Sequence, residues 1–168
     1  MTRDRIARIV LAGAWVAIGG APWALAQTSA PSVQWTASAK RDSSDAQGRR
    51  ATLEISAVVP EGWHVYAVNQ ALGGPTPLRV TIEEAAAARI TGAASGSSPE
   101  KRHDPSFDLE TEFYSHAFTL EFPVESQRSL AASPSLPVSV RFQLCSEQEC
   151  QPPKTIHLLA SIDATAPT

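Results

Sequence analysis

After its N-terminal segment the sequence has no apolar run near the roughly 20 residues that a membrane-spanning helix needs. Nor do lysine and arginine cluster into a face for nucleic acid or anionic lipid. The 168 residues hold 14 basic and 17 acidic side chains, a net charge of −3. Four histidines, His64, His103, His116 and His157, lack ligand spacing among themselves, so a metal centre would be short of the three or four ligands it needs. There is no internal repeat, which excludes a solenoid. Strong helix propensity is confined to residues 83–89, which argues against an α/β fold. Cysteine is nearly absent. The chain has two, Cys145 and Cys150, with four residues between them.

Residues 1–26 have the layout of a secretory signal. Arg3, Arg5 and Arg8 make a positive start, residues 9–20 are apolar, and Ala24 and Ala26 put small side chains at the cleavage-determining positions. An uncleaved anchor is the alternative, but the apolar stretch is short for a span. No twin arginine occurs, and no cysteine stands near the cleavage point to accept a lipid. Sec-type export to a periplasm is therefore expected, with residues 27–168 forming one domain whose ordered core runs from about 33 to 162. That segment carries 11 basic and 16 acidic residues, a net charge of −5, and is expected to be soluble.

Within it, period-2 alternation dominates. Val33, Trp35, Ala37 and Ala39 alternate, as do Leu53, Ile55, Ala57 and Val59. Further sets are Leu78, Val80 and Ile82; Phe118, Leu120, Phe122 and Val124; and Val138, Val140, Phe142 and Leu144. Ile156, Leu158 and Ile162 close the chain. About seven short strands separated by Pro-, Gly- and Ser-rich turns predict an all-β, immunoglobulin-like antiparallel sandwich. Residues 83–89 are expected to give one or two helical turns. Residues 40–50 read as a polar hairpin loop, and 92–105 as a long surface loop.

In residues 138–144 the apolar side chains occupy even positions, so alternation puts Cys145 on the other face, with Ser139, Arg141 and Gln143. If that face meets solvent, so does the sulfur. Pro152 and Pro153 lack backbone donors, which argues for a sheet edge or turn just after Cys150. Three readings are open: a structural disulfide, a metal site, and thiol–disulfide exchange. A disulfide closing so short a loop stabilises by only about 2 kcal/mol, against about 4.7 for a loop of roughly 100 residues. That favours chemistry over stapling. Glu147 and Glu149 disfavour a thiolate nearby, unless they are simply solvated turn residues.

Three motifs, in order, carry a resemblance to a known family. They are Gly62-Trp63-His64-Val65-Tyr66 with Gly74-Pro75-Thr76-Pro77-Leu78; Lys101-Arg102-His103-Asp104-Pro105-Ser106-Phe107 running into Glu110-Thr111-Glu112-Phe113-Tyr114; and Val140-Arg141-Phe142-Gln143-Leu144-Cys145 with Cys150-Gln151-Pro152-Pro153. The set resembles the N-terminal periplasmic domain of the thiol:disulfide interchange protein DsbD, an immunoglobulin-like sandwich that carries electrons to periplasmic thiol proteins. The resemblance implies a reversible Cys145–Cys150 disulfide, with Cys150 forming the mixed disulfide and Cys145 resolving it. It implies a cap loop at Glu112, Phe113 and Tyr114 that shields the sulfurs, core packing being the alternative for the two aromatic residues. Tyr66 matches an active-site tyrosine. His64 stands where some members have a second tyrosine; it would help move a thiol proton or serve as a hydrogen-bonded strand residue. Thr111 stands where some members place an acid, which leaves acid–base chemistry there without its group.

No organic cofactor or metal is implied. The implied partners are periplasmic thioredoxin-like thiol proteins and a membrane electron donor, in a role that includes cytochrome c biogenesis. The family's full-length protein continues into a membrane carrier and a thioredoxin-like domain, and this sequence contains neither, so the donor is expected to be a separate protein. The competing reading is an exported binding or scaffolding sandwich with a purely structural disulfide.

Overall fold

The computed structural model describes residues 30–163; the expected signal, residues 1–26, lies outside the described residues. The strands are β1 (Gln34–Arg41), β2 (Arg50–Val58), β3 (Trp63–Tyr66), β4 (Arg79–Ile82), β5 (Ala88–Ile90) and β6 (Ser95–Gly96). They continue with β7 (Glu100–Asp104), β8 (Leu109–Tyr114), β9 (Phe118–Ser126), β10 (Ser135–Phe142), β11 (Leu144–Ser146) and β12 (Lys154–Asp163). One sheet has eight strands in the order β4-β10-β12-β1-β2-β9-β5, with β6 also on β9; the other has four, in the order β11-β3-β8-β7. Every pairing is antiparallel except β1 with β12, which is parallel.

Alternation builds the large sheet as the sequence predicts. Phe118, Leu120, Phe122 and Val124 of β9 are buried, and so are Leu53, Ile55 and Ala57 of β2 and Val138, Val140 and Phe142 of β10. Each large side chain so buried contributes about 1.5–3 kcal/mol. Trp35 of β1 lies against Phe142 and, edge-on, against Phe118, with centroids 5.0 and 5.8 Å away. The small sheet closes this core with Val65, Tyr114 and Leu144. Its opposite face holds a second cluster of Tyr66, Phe113 and Cys145, with Phe107 packed on it.

The connections follow local chemistry. The β1–β2 loop is ordered by Asp45, whose carboxylate accepts from the backbone N–H of Arg49 and Arg50 at 2.6 and 2.7 Å. Gly62 at φ +77° completes the turn that leads into β3. Residues 83–89 yield a single 3-10 turn, Glu84–Ala86, ended by Ala87 at φ +50°. The expected surface loop at 92–105 is a correction: it contains β6 and β7. Backbone pairing with β9 and β8 sets these strands, and their polar side chains give no apolar alternation to read.

Candidate functional site

The chain crosses from the large sheet to the small one at Gln143, between β10 and β11. In β11 the backbone pairs Leu144 with Val65, Cys145 with His64, and Ser146 with Trp63. A tight reversal follows. Ser146 N–H donates to Glu149 O at 2.8 Å, Ser146 Oγ accepts from the N–H groups of Gln148 and Glu149 at 3.2 Å, and Gln151 N–H donates to Leu144 O at 2.9 Å. This brings Cys150 opposite Cys145 as an isolated bridge, and the two are joined in a disulfide. Pro152 and Pro153 then carry the chain to β12 in the other sheet, leaving β11 as an edge strand.

The two sulfurs are not equivalent. Alternation does place Cys145 opposite Leu144, and the condition for an accessible sulfur, a face open to solvent, is not met at Cys145. Cys145 has 0% exposure beneath Tyr66, Phe113 and Phe107, whereas Cys150 is exposed. The outer face of the small sheet is roofed by aromatic rings, a tertiary effect that period-2 reasoning does not contain.

His64 and Tyr66 share that outer face of β3, with Val65 turned to the main core. Their rings meet edge to face at 5.0 Å, and His64 lies 5.2 Å from the Phe113 ring. His64 is buried, and its Nε2 has no hydrogen-bond partner. Burial, helped by the Arg102 cation, holds its pKa below the ordinary histidine value, while Asp104, Glu147 and Glu100 pull weakly the other way. Tyr66 donates its hydroxyl to Asp104 Oδ2 at 2.8 Å; burial first, then that bond, pushes its pKa well above the usual phenol value.

The proposed cap residues lie in strand β8, not in a loop, and they separate. Phe113 joins the disulfide cluster. Glu112 pairs with Lys101 at 2.8 Å, and Tyr114 stacks on Phe118 at 4.1 Å in the main core. Thr111 is buried in the same strand, its hydroxyl directed to Arg102 O at 3.5 Å. The loop residue over the cluster is instead Phe107, in the β7–β8 turn, edge-on to Tyr66 at 6.2 Å. Arg102 of β7 completes the roof. Its guanidinium stands 4.5 Å from the Phe113 ring centre, and Nη1 meets Glu147 Oε1 at 2.7 Å.

Sequence reasoning assigned no role to Arg102, Asp104 or Phe107, though all three fall within the second motif. A groove of about 540 Å³ runs beside this roof, lined by Trp63, His64, Phe113, Arg102, His116 and Glu147. Among the described residues, no three His, Cys, Asp or Glu side chains gather into a metal site. No helix of the described residues is long and apolar enough to cross a membrane.

Three solved structures align with this chain. The N-terminal periplasmic domain of ScsB from Proteus mirabilis aligns with a TM-score of 0.53 and 15% identity, over 77% of this chain and 46% of that one. The DsbD N-terminal domain of Neisseria meningitidis in the reduced form gives a TM-score of 0.47 and 18% identity, over 69% and 78%. The complex between the DsbD and PilB N-terminal domains of the same organism gives 0.46 and 17%, over 74% and 80%. No curated protein matches the chain. The family model described as thiol:disulfide interchange protein DsbD, N-terminal, matches residues 32–161, both cysteines included, and the chain belongs to that family.

Proposed function

We propose that this chain is a periplasmic thiol–disulfide exchange domain that passes electrons through a reversible Cys145–Cys150 disulfide. The observation that carries the reading is the asymmetry of the bond: an exposed Cys150 on an edge hairpin, joined to a Cys145 sealed under aromatic rings. Exchange begins at the sulfur a partner can reach. In the reduced form the Cys150 thiolate attacks a partner disulfide, one partner thiolate leaves, and a mixed disulfide forms. Cys145 then attacks Cys150 Sγ and expels the second partner thiolate. Two electrons have moved to the partner, and the domain is oxidised.

Phe113, Phe107 and Arg102 limit access of water and small oxidants to this site. Membership of the family supports thioredoxin-like thiol proteins as acceptors and a membrane electron carrier as donor, in a role that includes cytochrome c biogenesis. The secretory layout of residues 1–26 supports a periplasmic location.

Trapping tests the reading. With Cys145→Ser, a covalent adduct through Cys150 should accumulate on incubation with periplasmic thiol proteins, and Cys150→Ser should trap little. The reduction potential of the pair should lie above about −300 mV, the level below which structural disulfides of secreted proteins usually fall. No adduct together with a lower potential would make the disulfide structural and the domain a binding or scaffolding module.

A further inference from the structure

We propose that His64 is the base that takes the Cys145 proton when that thiol closes the disulfide, with Nε2 as the acceptor atom. The inference rests on the exchange reading above and assigns its proton step. Cys145 and His64 are cross-strand partners on one face of the small sheet. Side chains so paired hold their Cβ atoms about 4.5–5.5 Å apart. The imidazole is 5% exposed, wedged against Tyr66 and Phe113, and Nε2 is buried with no hydrogen-bond partner. Buried polar atoms without partners are rare and point to a role.

The oxidised state itself accounts for this one. A disulfide sulfur carries no proton, so Cys145 has nothing to donate. Reduction creates an S–H on the residue paired across the strand from His64.

The other titratable groups around the ring are already engaged. Tyr66 donates to Asp104, and Asp104 also accepts from the Ser106 N–H at 2.9 Å. Glu147 is paired with Arg102, and Glu100 accepts from the Ser115 hydroxyl. His64 is the neutral group left over, and burial keeps it neutral. Cys145 needs such a group, because a thiol enclosed by apolar rings ionises reluctantly.

The step balances. With the mixed disulfide on Cys150, the Cys145 S–H gives its proton to Nε2, and the new thiolate attacks Cys150 Sγ. The Cys145–Cys150 bond forms, the bond to the partner sulfur breaks, and the departing thiolate takes a proton from the imidazolium or from water. Run backwards, the imidazolium returns the proton to Cys145 as it leaves.

The test follows the reduced full chain reacting with oxidised glutathione, quenched in acid and read by mass spectrometry from pH 5 to 9. It times both formation and decay of the Cys150–glutathione adduct. In the unmodified protein, decay should be fast and level at neutral pH and should fall only below about pH 6.5, the ordinary histidine value. His64→Phe preserves ring packing and removes the nitrogens. Adduct formation should stay within about twofold, whereas decay at pH 7 should slow by about 100-fold, within the usual range for a lost general base. Decay should then climb with pH toward the alkaline range of a thiol.

The equilibrium constant against glutathione should also shift about tenfold toward the disulfide, since the reduced form loses its hydrogen bond. Equal decay rates and profiles in the two proteins would overturn the proposal. If His64→Phe fails to fold, His64→Gln replaces it. The unmodified protein is decisive by itself if its decay shows no inflection below pH 6.5 and only climbs through the thiol range. Failure of oxidised glutathione to form the Cys145–Cys150 disulfide, with no Cys150 adduct in Cys145→Ser either, would overturn the exchange reading and this proposal together, whereas normal oxidation with decay indifferent to His64 would overturn this proposal alone.

Discussion

Asp104 is a buried carboxylate with 5% exposure, and the Tyr66 hydroxyl and the Ser106 N–H are its donors. A buried acceptor that loses its donor bears a desolvation cost of about 1–3 kcal/mol. Tyr66→Phe should therefore lower stability by about that amount in urea unfolding, although the ring packing survives. Restoring the balance with Asp104→Asn in the same chain should recover part of the loss. His64 makes a second prediction at this scale. Its folded pKa is depressed, so the folded state binds the proton less readily than the open chain. The stability this contributes is present above about pH 6.5 and is lost as pH falls through the folded value. Thermal unfolding of the unmodified protein and of His64→Phe should run parallel above pH 7.5. Below pH 6.5 the unmodified protein should lose ground. Parallel curves throughout would mean that the imidazole charges as freely in the fold as in the open chain. The cysteine pair was legible from spacing and scarcity alone. Asp104 and Arg102 were not, because a charged side chain gives no sign in one dimension that the fold will bury it, as it does Asp104, or lay it against an aromatic ring, as it does Arg102.

β7 shows the same limit for a whole element. Glu100-Lys101-Arg102-His103-Asp104 contains no apolar residue, so alternation has nothing to mark. The strand exists because its backbone pairs with β8, and at the edge of the small sheet its charges also discourage pairing with other chains. By contrast, β2 and β9 were fully legible, since one face of each is buried in the main core. β7 also delivers Arg102, which links the Phe113 ring to Glu147 in the hairpin between the cysteines. An exposed ion pair contributes about 0–1 kcal/mol and an exposed cation–π contact about 0.5–1. If this strap restrains the hairpin, Arg102→Ala should speed reduction by dithiothreitol about fivefold, and high salt should reproduce part of the gain in the unmodified protein. Lys101→Ala breaks the pair with Glu112 and should leave the reduction rate unchanged. Equal effects of the two substitutions would locate the restraint in general charge balance and not in the strap.

At the scale of the molecule, an exchange domain must remain folded in both redox states, or each turnover would include an unfolding step. The disulfide closes a loop between residues only five apart in sequence, and it belongs to the small outer cluster. The main core, with Leu53, Ile55, Phe118, Phe122, Val138 and Phe142, lies on the other side of the small sheet and contains neither cysteine. Loop-closure entropy for so short a ring gives about 2 kcal/mol at most. Replacing a buried aromatic ring such as Phe122 with alanine removes about 3–5. Cys145→Ala combined with Cys150→Ala should thus cost about 2 kcal/mol in denaturant unfolding and keep the near-ultraviolet circular dichroism of the core aromatic residues. Phe122→Ala should cost more than the double cysteine change. The reverse ranking, or loss of the aromatic signal on reduction, would mean that the bond holds the sandwich together. A fold that depends on its disulfide cannot give up that bond to a partner and remain a domain.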